Sequence, residues 1–370
     1  MKISVIIVTF NGKQYLPELL ESLSKTKWPD GEQEIIFVDN ASSDGSVDYL
    51  TFNLPACAYM FCLDQNRGFA GGNNIGIRNA LANKSDYIVL LNQDTVVEPN
   101  WIEELIKTAR SEPTIGAVQS LLLYWGRKDI INSYGNYLHF LGFGFAGGNL
   151  EKLTSNNKHL TTNSREITYA SGAAVLYKAD ALKKVGLLDK ALESYHEDSD
   201  IGLRLRLAGF KSYLAPKSVV YHKYQFLKNN QQQTTNNKQQ RKFNYKYYLM
   251  ERNRQYTLLK YYKLKTLILI FPAWIAMEIG VTLFAIMRGF WRERLRGYAW
   301  IVKNFGLILR KRKEIQTLRQ AQSDKVVNDK ELMRDFVGWI DFQEIKNPLL
   351  TWIGNPVMRG YWRFVKNFLV

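Results

Sequence analysis

Three carboxylates fall within four residues in His196-Glu197-Asp198-Ser199-Asp200, and Arg204 and Arg206 follow on a helical pattern. Carboxylates so close repel one another, and the arginines would moderate that repulsion. An acidic helix start favoured by the helix dipole accounts for the same residues. As a site, the cluster would supply a general base for a hydroxyl. A second acid, Asp94, closes the run Leu90-Leu91-Asn92-Gln93-Asp94-Thr95. At the end of a strand, a lone carboxylate can hold Mg2+ or Mn2+ through hard oxygen contacts. Asp39, in Val38-Asp39-Asn40-Ala41-Ser42, could accept hydrogen bonds from a base or a ribose hydroxyl, whereas Asp44 suits a helix cap. The stretch Asn66-Arg67-Gly68-Phe69-Ala70-Gly71-Gly72-Asn73-Asn74 gathers glycines and amides ahead of a helix. Such a loop lets backbone approach a ligand, its helix end favours anions, and Arg67 could contact a diphosphate. Thr9-Phe10-Asn11-Gly12 and Tyr221-His222 complete the set; Asn-Gly is a common turn, and a lone histidine is more often structural than a ligand.

These residues need elements to position them. Ile3–Val8, Ile35–Val38, Ala58–Leu63 and Tyr87–Leu91 are apolar, β-rich runs. Between them Tyr15–Leu23, a short stretch near Val47, and Ala70–Ala82 read as helices, with Pro17 tolerable in a first turn. This order predicts a mostly parallel sheet with helices on both faces, and ligands beyond the carboxyl ends of its strands. From Gly126 to Asn163 glycines gather and the pattern weakens. A long surface loop and a mobile lid both fit that stretch. Periodicity returns at Tyr169–Tyr177, with helices to Val185 and over Ile201–Ala208, and a short strand at Lys217–Val220.

The chain has 370 residues, 46% hydrophobic and 23% charged, the composition of a folded protein rather than a disordered one. Two cysteines, Cys57 and Cys62, exclude a disulfide framework. Lys2 precedes the apolar run ending at Phe10, but no small-residue cleavage site follows, so a cytoplasmic protein is expected. The net charge of +16 is unevenly placed: residues 1–222 carry −2 and residues 223–370 carry +18. The two parts therefore face different partners.

Taken in order, VIIVTFNG, VDNASSDGS, NRGFAGGNNIG, LLNQDT, SGAAVLYK and HEDSDIGLRLRLAGF resemble glycosyltransferase family 2, especially its rhamnosyltransferase-like branch. The resemblance runs from the amino terminus to about residue 224. It implies a GT-A fold, a Rossmann-like mostly parallel sheet. It also implies an inverting transferase that moves a single sugar from a nucleotide-diphosphate donor. Thr9, Asn11 and Asp39 would bind the nucleotide, and Asn66, Arg67, Gly68, Asn73 and Asn74 would line the donor pocket. Asp94 matches the last acid of the family's metal motif, whose first acid is Asn92 here; His222 would be a further contact to Mg2+ or Mn2+. Asp198 matches the base, with Glu197 as the alternative, and Ser171, Gly172 and Ala173 would border the acceptor. The Gln-x-x-Arg-Trp motif of processive members is missing. The implied donor is dTDP-rhamnose first and a UDP-sugar second, and the implied acceptor is a lipid-linked glycan. A non-catalytic nucleotide-sugar-binding or scaffold protein of the same fold is the rival reading.

The expected domains are 1–224 as the catalytic unit, 225–240 as a Gln/Asn-rich flexible loop, and 241–370 as a basic, aromatic-rich helical region. Within the last, Thr266–Met287 carries one formal charge, Glu278. It is nearly long enough to span a bilayer, but a central Glu opposes that. An in-plane interfacial helix or a re-entrant hairpin around Pro272 is favoured, then a span, then a core helix. With Arg288–Arg296, Arg310–Lys313 and the aromatic residues Trp339, Trp352, Tyr361, Trp362 and Phe364, this suits an anionic membrane surface at the cytoplasmic face. Nucleic acid would give the apolar segment no use and is excluded on that ground.

Overall fold

The computed structural model describes residues 1–154, 162–224, 237–320, 327–341 and 348–369. The chain divides into two compact units: Met1–Asn136 with Ala146–Tyr224, and Tyr137–Phe145 with Gln225–Val370.

In the first unit the elements run β1 (Lys2–Thr9), α1 (Leu16–Ser24), β2 (Glu32–Asp39), α2 (Ser46–Asn53), β3 (Ala58–Cys62), α3 (Gly68–Ala82), β4 (Tyr87–Leu91), β5 (Thr95–Val97) and α4 (Trp101–Ser111). There follow β6 (Ile115–Tyr124), β7 (Arg127–Ser133), β8 (Asn136–Leu138) and β9 (Gly144–Ala146), most of whose residues belong to the second unit, then β10 (Arg165–Ile167), β11 (Ala174–Lys178), α5 (Ala179–Val185), α6 (Glu197–Leu207) and β12 (Lys211–His222). One sheet has the order β10-β12-β6-β11-β4-β1-β2-β3, with β5 on β12 and β7 on β6. β4, β1, β2 and β3 are mutually parallel, because each is separated from the next by a helical crossover. β11 lies antiparallel between β4 and β6, so the sheet as a whole is mixed.

Strand alternation sets the two faces. Ile3, Val5 and Ile7 of β1 join Leu16, Leu19 and Leu23 of α1 and Trp101 and Leu105 of α4 in one core. Ile6 points the other way, against Gly76 of α3. Helices thus cover both faces, as the alternation of strand and helix signals predicts.

Three expectations change. The glycine-rich stretch after Gly126 is not a plain loop: it holds β7, β8 and β9, and β7 hydrogen-bonds to β6. Its residues 155–161 lie outside the described ones. β12 is longer than the short strand expected, because the register shift between Ala215 and Val219 lets it pass Pro216 and continue along β6. Of the Gln/Asn-rich 225–240 stretch, 225–236 lie outside the described residues, and a helix begins at Asn237.

The second unit is helical: α7 (Asn237–Tyr261), α8 (Leu264–Met287), α9 (Trp291–Lys303), α10 (Phe305–Gln320), α11 (Asp329–Leu332) and α12 (Asn355–Lys366). α8 is one continuous helix through Pro272, which rules out the hairpin. Pro272 and Ile268, four residues before it, face outward, so the carbonyl deprived of its usual partner is not sealed in a core. Glu278 is buried by partners from two neighbouring helices: Arg254 at 2.6 Å and Gln255 at 3.0 Å from α7, Arg294 and Tyr298 from α9. Removing one side of such a buried pair typically destabilises by about 3–5 kcal/mol. Trp362 is also not a surface aromatic; it is buried and stacks on Phe140 at 4.9 Å.

Candidate active site

The functional candidates gather where β1, β2, β4 and β12 end. β1 and β2 are paired so that Thr9 lies opposite Asp39. The buried Thr9 hydroxyl donates to Asp39 Oδ1 at 3.0 Å, and the Ser42 amide donates to Oδ2 at 2.9 Å. Asn11, at φ 47°, accepts from the Ser43 amide at 2.8 Å. Asp44 accepts from the amides of Lys13 and Ser46, so it ties the two strand-end loops together.

The glycine-rich loop is held by an amide network. Asn40 donates to Asn66 Oδ1 at 2.9 Å and to the Gly68 carbonyl at 3.1 Å, and accepts from the Arg67 amide at 2.8 Å. Gly68 has φ +68°, and a Cβ there would sit 2.9 Å from the Glu193 carbonyl oxygen. That contact brings the loop against the segment preceding α6. Asn73 and Asn74 are buried inside this joint: Asn73 donates to the Phe69 carbonyl, and Asn74 exchanges bonds with the backbone of Leu188. Their amides therefore have protein partners. The Arg67 side chain pairs with Asp64 at the surface, 3.2 Å away.

Asn92–Thr95 is the hub. The Asn92 amide donates to Ala173 O at 2.9 Å, joining the turn Ser171–Ala173 to the end of β4. The Ser171 amide is fixed in turn on Gln119 Oε1 at 2.7 Å. The Gly172 amide donates toward the Asp198 carboxyl. On its other side, β5 pairs antiparallel with β12, His222 opposite Thr95, and this register sets His222 Nε2 3.4 Å from Asp94 Oδ1. The Asp94 backbone oxygen accepts from Lys223. Asp94, His222, Ser171–Ala173 and Asp198 are thus brought together around one short segment.

The electrostatics divide the acids. Burial pushes the Asp198 carboxyl up to about 6, against the backbone amides that favour its charged form. Burial also raises the Glu197 carboxyl well above the usual range, with the charges of Asp198 and Asp200 adding to it, and its Oε2 has no hydrogen-bond partner among the described residues. Burial also opposes ionisation of Asp94, but the charge and hydrogen bond of His222 outweigh it and hold that carboxyl below the usual range. Asp200 is committed to Arg204, 2.8 Å away. The site has one acid suited to lose and regain a proton near neutrality, and one that stays anionic.

The carboxylate of Asp94 and the imidazole nitrogen of His222 form a donor set that fits a divalent cation. Among the described residues no third His, Cys, Asp or Glu joins them.

The family model for glycosyl transferase family 2 matches residues 4–186. Residues 4–186 belong to glycosyl transferase family 2. The match ends before the segment carrying Asp198 and His222. N-acetylglucosaminyl-diphospho-decaprenol L-rhamnosyltransferase of Mycobacterium tuberculosis is 25% identical over 59% of this chain and 75% of its own length. Poly-beta-1,6-N-acetyl-D-glucosamine synthase of Staphylococcus epidermidis is 24% identical over 59% of this chain, which spans only 49% of that relative. The crystal structure of GalNAc-T7 with UDP, GalNAc and Mn2+ superimposes with a TM-score of 0.53 at 17% identity, over 71% of this chain and 48% of that one. The fold of this family 2 member is GT-A, with an added helical carboxyl-terminal region.

Sequence reasoning missed two residues that build the family 2 site. Gln93 grips the Phe10 backbone, accepting from its amide at 2.9 Å and donating to its carbonyl at 3.2 Å. Asn40 organises the glycine-rich loop as described above. Both stand beside a recognised acid, Asp94 and Asp39, and an amide side chain next to a strand-end carboxylate is the signal that could have found them.

Proposed function

We propose that the protein is an inverting, metal-dependent glycosyltransferase that moves one sugar, rhamnose first, from a dTDP- or UDP-sugar to a hydroxyl of a lipid-linked glycan in cell-surface polysaccharide synthesis. The observation that carries this reading is the meeting of Asp198, the 171–173 turn, Asp94 and His222 around Asn92–Thr95. Thr9, Asn11, Asp39 and Asn66–Gly68 line the nucleotide side. Asp94 and His222 would hold Mg2+ or Mn2+, which neutralises charge on the departing diphosphate. Asp198 takes the acceptor proton as the acceptor oxygen attacks the anomeric carbon from the face opposite the diphosphate. The new carbon–oxygen bond forms, the bond to phosphate breaks with its electron pair leaving on the diphosphate, and the anomeric configuration inverts. Glu197, raised by burial and by the charge of Asp198, is the alternative base. The rhamnose assignment rests on the Asn66–Asn74 motif and on the name of the mycobacterial relative, and the lipid-linked acceptor rests on that name as well.

The second unit adds an anionic membrane surface to the partners. Among the described residues one helix, α8, is long and apolar enough to cross a membrane. Its exposed residues Ile268, Phe271, Ile275, Ile279, Leu283 and Ile286 recur every three or four positions and form one stripe, while Glu278 faces the arginines of α7 and α9. A stripe with a buried ionic back suits a helix lying in the interface better than one surrounded by lipid. Exposed Trp352, Val357 and Phe364, with Arg359 and Arg363, extend the same character to the chain end. These features support a peripheral or monotopic attachment, and we place it at the cytoplasmic face as part of the same proposal.

The test is thermal stabilisation by UDP, dTDP and GDP, each with and without Mn2+, on wild type and Asp94→Ala. Stabilisation by one nucleotide that needs the metal and disappears in the variant supports the reading and names the donor class. Stabilisation by none of them overturns it.

A further inference from the structure

His222 does not stand alone behind its contact with Asp94. Its Nδ1 lies 2.9 Å from Asn132 Oδ1. The Asn132 amide nitrogen donates to Asn149 Oδ1 at 3.4 Å, and the Tyr124 hydroxyl donates to the same oxygen at 2.7 Å. His222 and Asn132 are both buried, at 7% and 6% exposure, so water is not there to substitute for these partners. The chain has a direction. Asn149 Oδ1, engaged by the tyrosine hydroxyl, accepts from the Asn132 amide nitrogen; that turns Asn132 Oδ1 toward the imidazole, where it can only accept. Nδ1 must then carry a proton, so Nε2, the nitrogen facing Asp94, is the one that can give up its proton to take a cation.

We infer that Asn132, oriented by Asn149 and Tyr124, is a positioning residue that selects the cation-binding form of His222. The inference rests on the reading of Asp94 and His222 as cation ligands. An imidazole binds a cation only through an unprotonated nitrogen, and the partner of the other nitrogen decides which one that is. Asn132 lies on β7 and Asn149 just beyond β9, so the excursion between Gly126 and Asn149 supports the site from behind.

The experiment is a Mn2+ titration followed by the free-ion electron paramagnetic resonance signal, in the presence of the stabilising nucleoside diphosphate. Wild type, Asp94→Ala, Asn132→Leu, Asn132→Asp and Tyr124→Phe are compared, with circular dichroism as the folding control. Asn132→Leu should weaken Mn2+ binding by about ten- to a hundredfold. Asn132→Asp, which keeps an acceptor for Nδ1–H, should stay within about threefold of wild type, well inside the range for losing the partner. Tyr124→Phe keeps the ring and removes the hydroxyl; it should weaken binding measurably, and it carries the test if Asn132→Leu fails to fold. Wild-type affinity in folded Asn132→Leu or in Tyr124→Phe, beside a loss in Asp94→Ala, overturns the inference and leaves the metal reading intact. Equal Mn2+ binding by wild type and Asp94→Ala overturns both.

Discussion

The side-chain amide of Asn74 exchanges two hydrogen bonds with the backbone of Leu188, donating to its carbonyl at 2.8 Å and accepting from its N–H at 2.9 Å. Asn74 is 1% exposed. The bond joins α3, on the nucleotide side, to the segment that leads into the acid cluster. Asn74→Ala leaves both backbone groups of Leu188 without a partner in a buried place. We predict a loss of about 1–3 kcal/mol in stability, read from denaturant unfolding. Wild-type stability in Asn74→Ala would show that water replaces the amide.

Asp198 sets the pH dependence. Transfer needs its ionised form, so the rate should fall as pH drops through about 6. The stability effect has the opposite sense. A carboxyl raised in the fold favours folding below its unfolded value and gives that up as pH rises through the folded value. Asp198→Asn is expected to abolish transfer, keep nucleotide binding, and melt at pH 8 no lower than wild type. A variant that melts much lower, or loses nucleotide binding, would reassign Asp198 to structure.

Glu278 is the counterpart in the second unit. Glu278→Ala removes one of the two anions that Arg254 and Arg294 share and leaves both buried arginines on Glu251 alone. A destabilisation of about 3–5 kcal/mol is expected, seen as an early loss of helical signal on heating. A change below about 1 kcal/mol, the scale of exposed pairs, would mean that solvent reaches the cluster.

The apolar stripe of α8 can be tested without disturbing that network. Ile275→Glu together with Ile279→Glu alters exposed positions only. Flotation with phosphatidylserine-containing vesicles should drop sharply while the melting temperature holds. Undiminished flotation would exclude this stripe as the membrane contact.

The parallel half of the sheet was legible because β1, β2 and β4 are buried apolar runs divided by helix signals and glycine turns. Asp39, Asp94 and Asp198 were legible because each stands where such a run stops or a helix starts. The partnership of Asp94 with His222 was reached only through the family resemblance, since it depends on the register of β5 against β12, a pairing that no local pattern encodes. β7, β8 and β9 were hidden for a different reason: β7 opens on the charged residues Arg127, Lys128 and Asp129 and pairs with β6 across register shifts, and β8 and β9 are only 3 residues each. Trp362 misled because an aromatic among cations reads the same whether it faces lipid or stacks on Phe140.

The clamp that Gln93 places on Phe10 has a consequence for descent. A Cβ added at Gly12 would fall 2.0 Å from Gln93 Oε1. The constraint runs one way: a larger residue at 12 is tolerated only after 93 has shortened or turned away, and that releases the Phe10 backbone. Across related genes a side chain at 12 should therefore be accompanied by a change at 93, whereas 93 can change beside an intact Gly12.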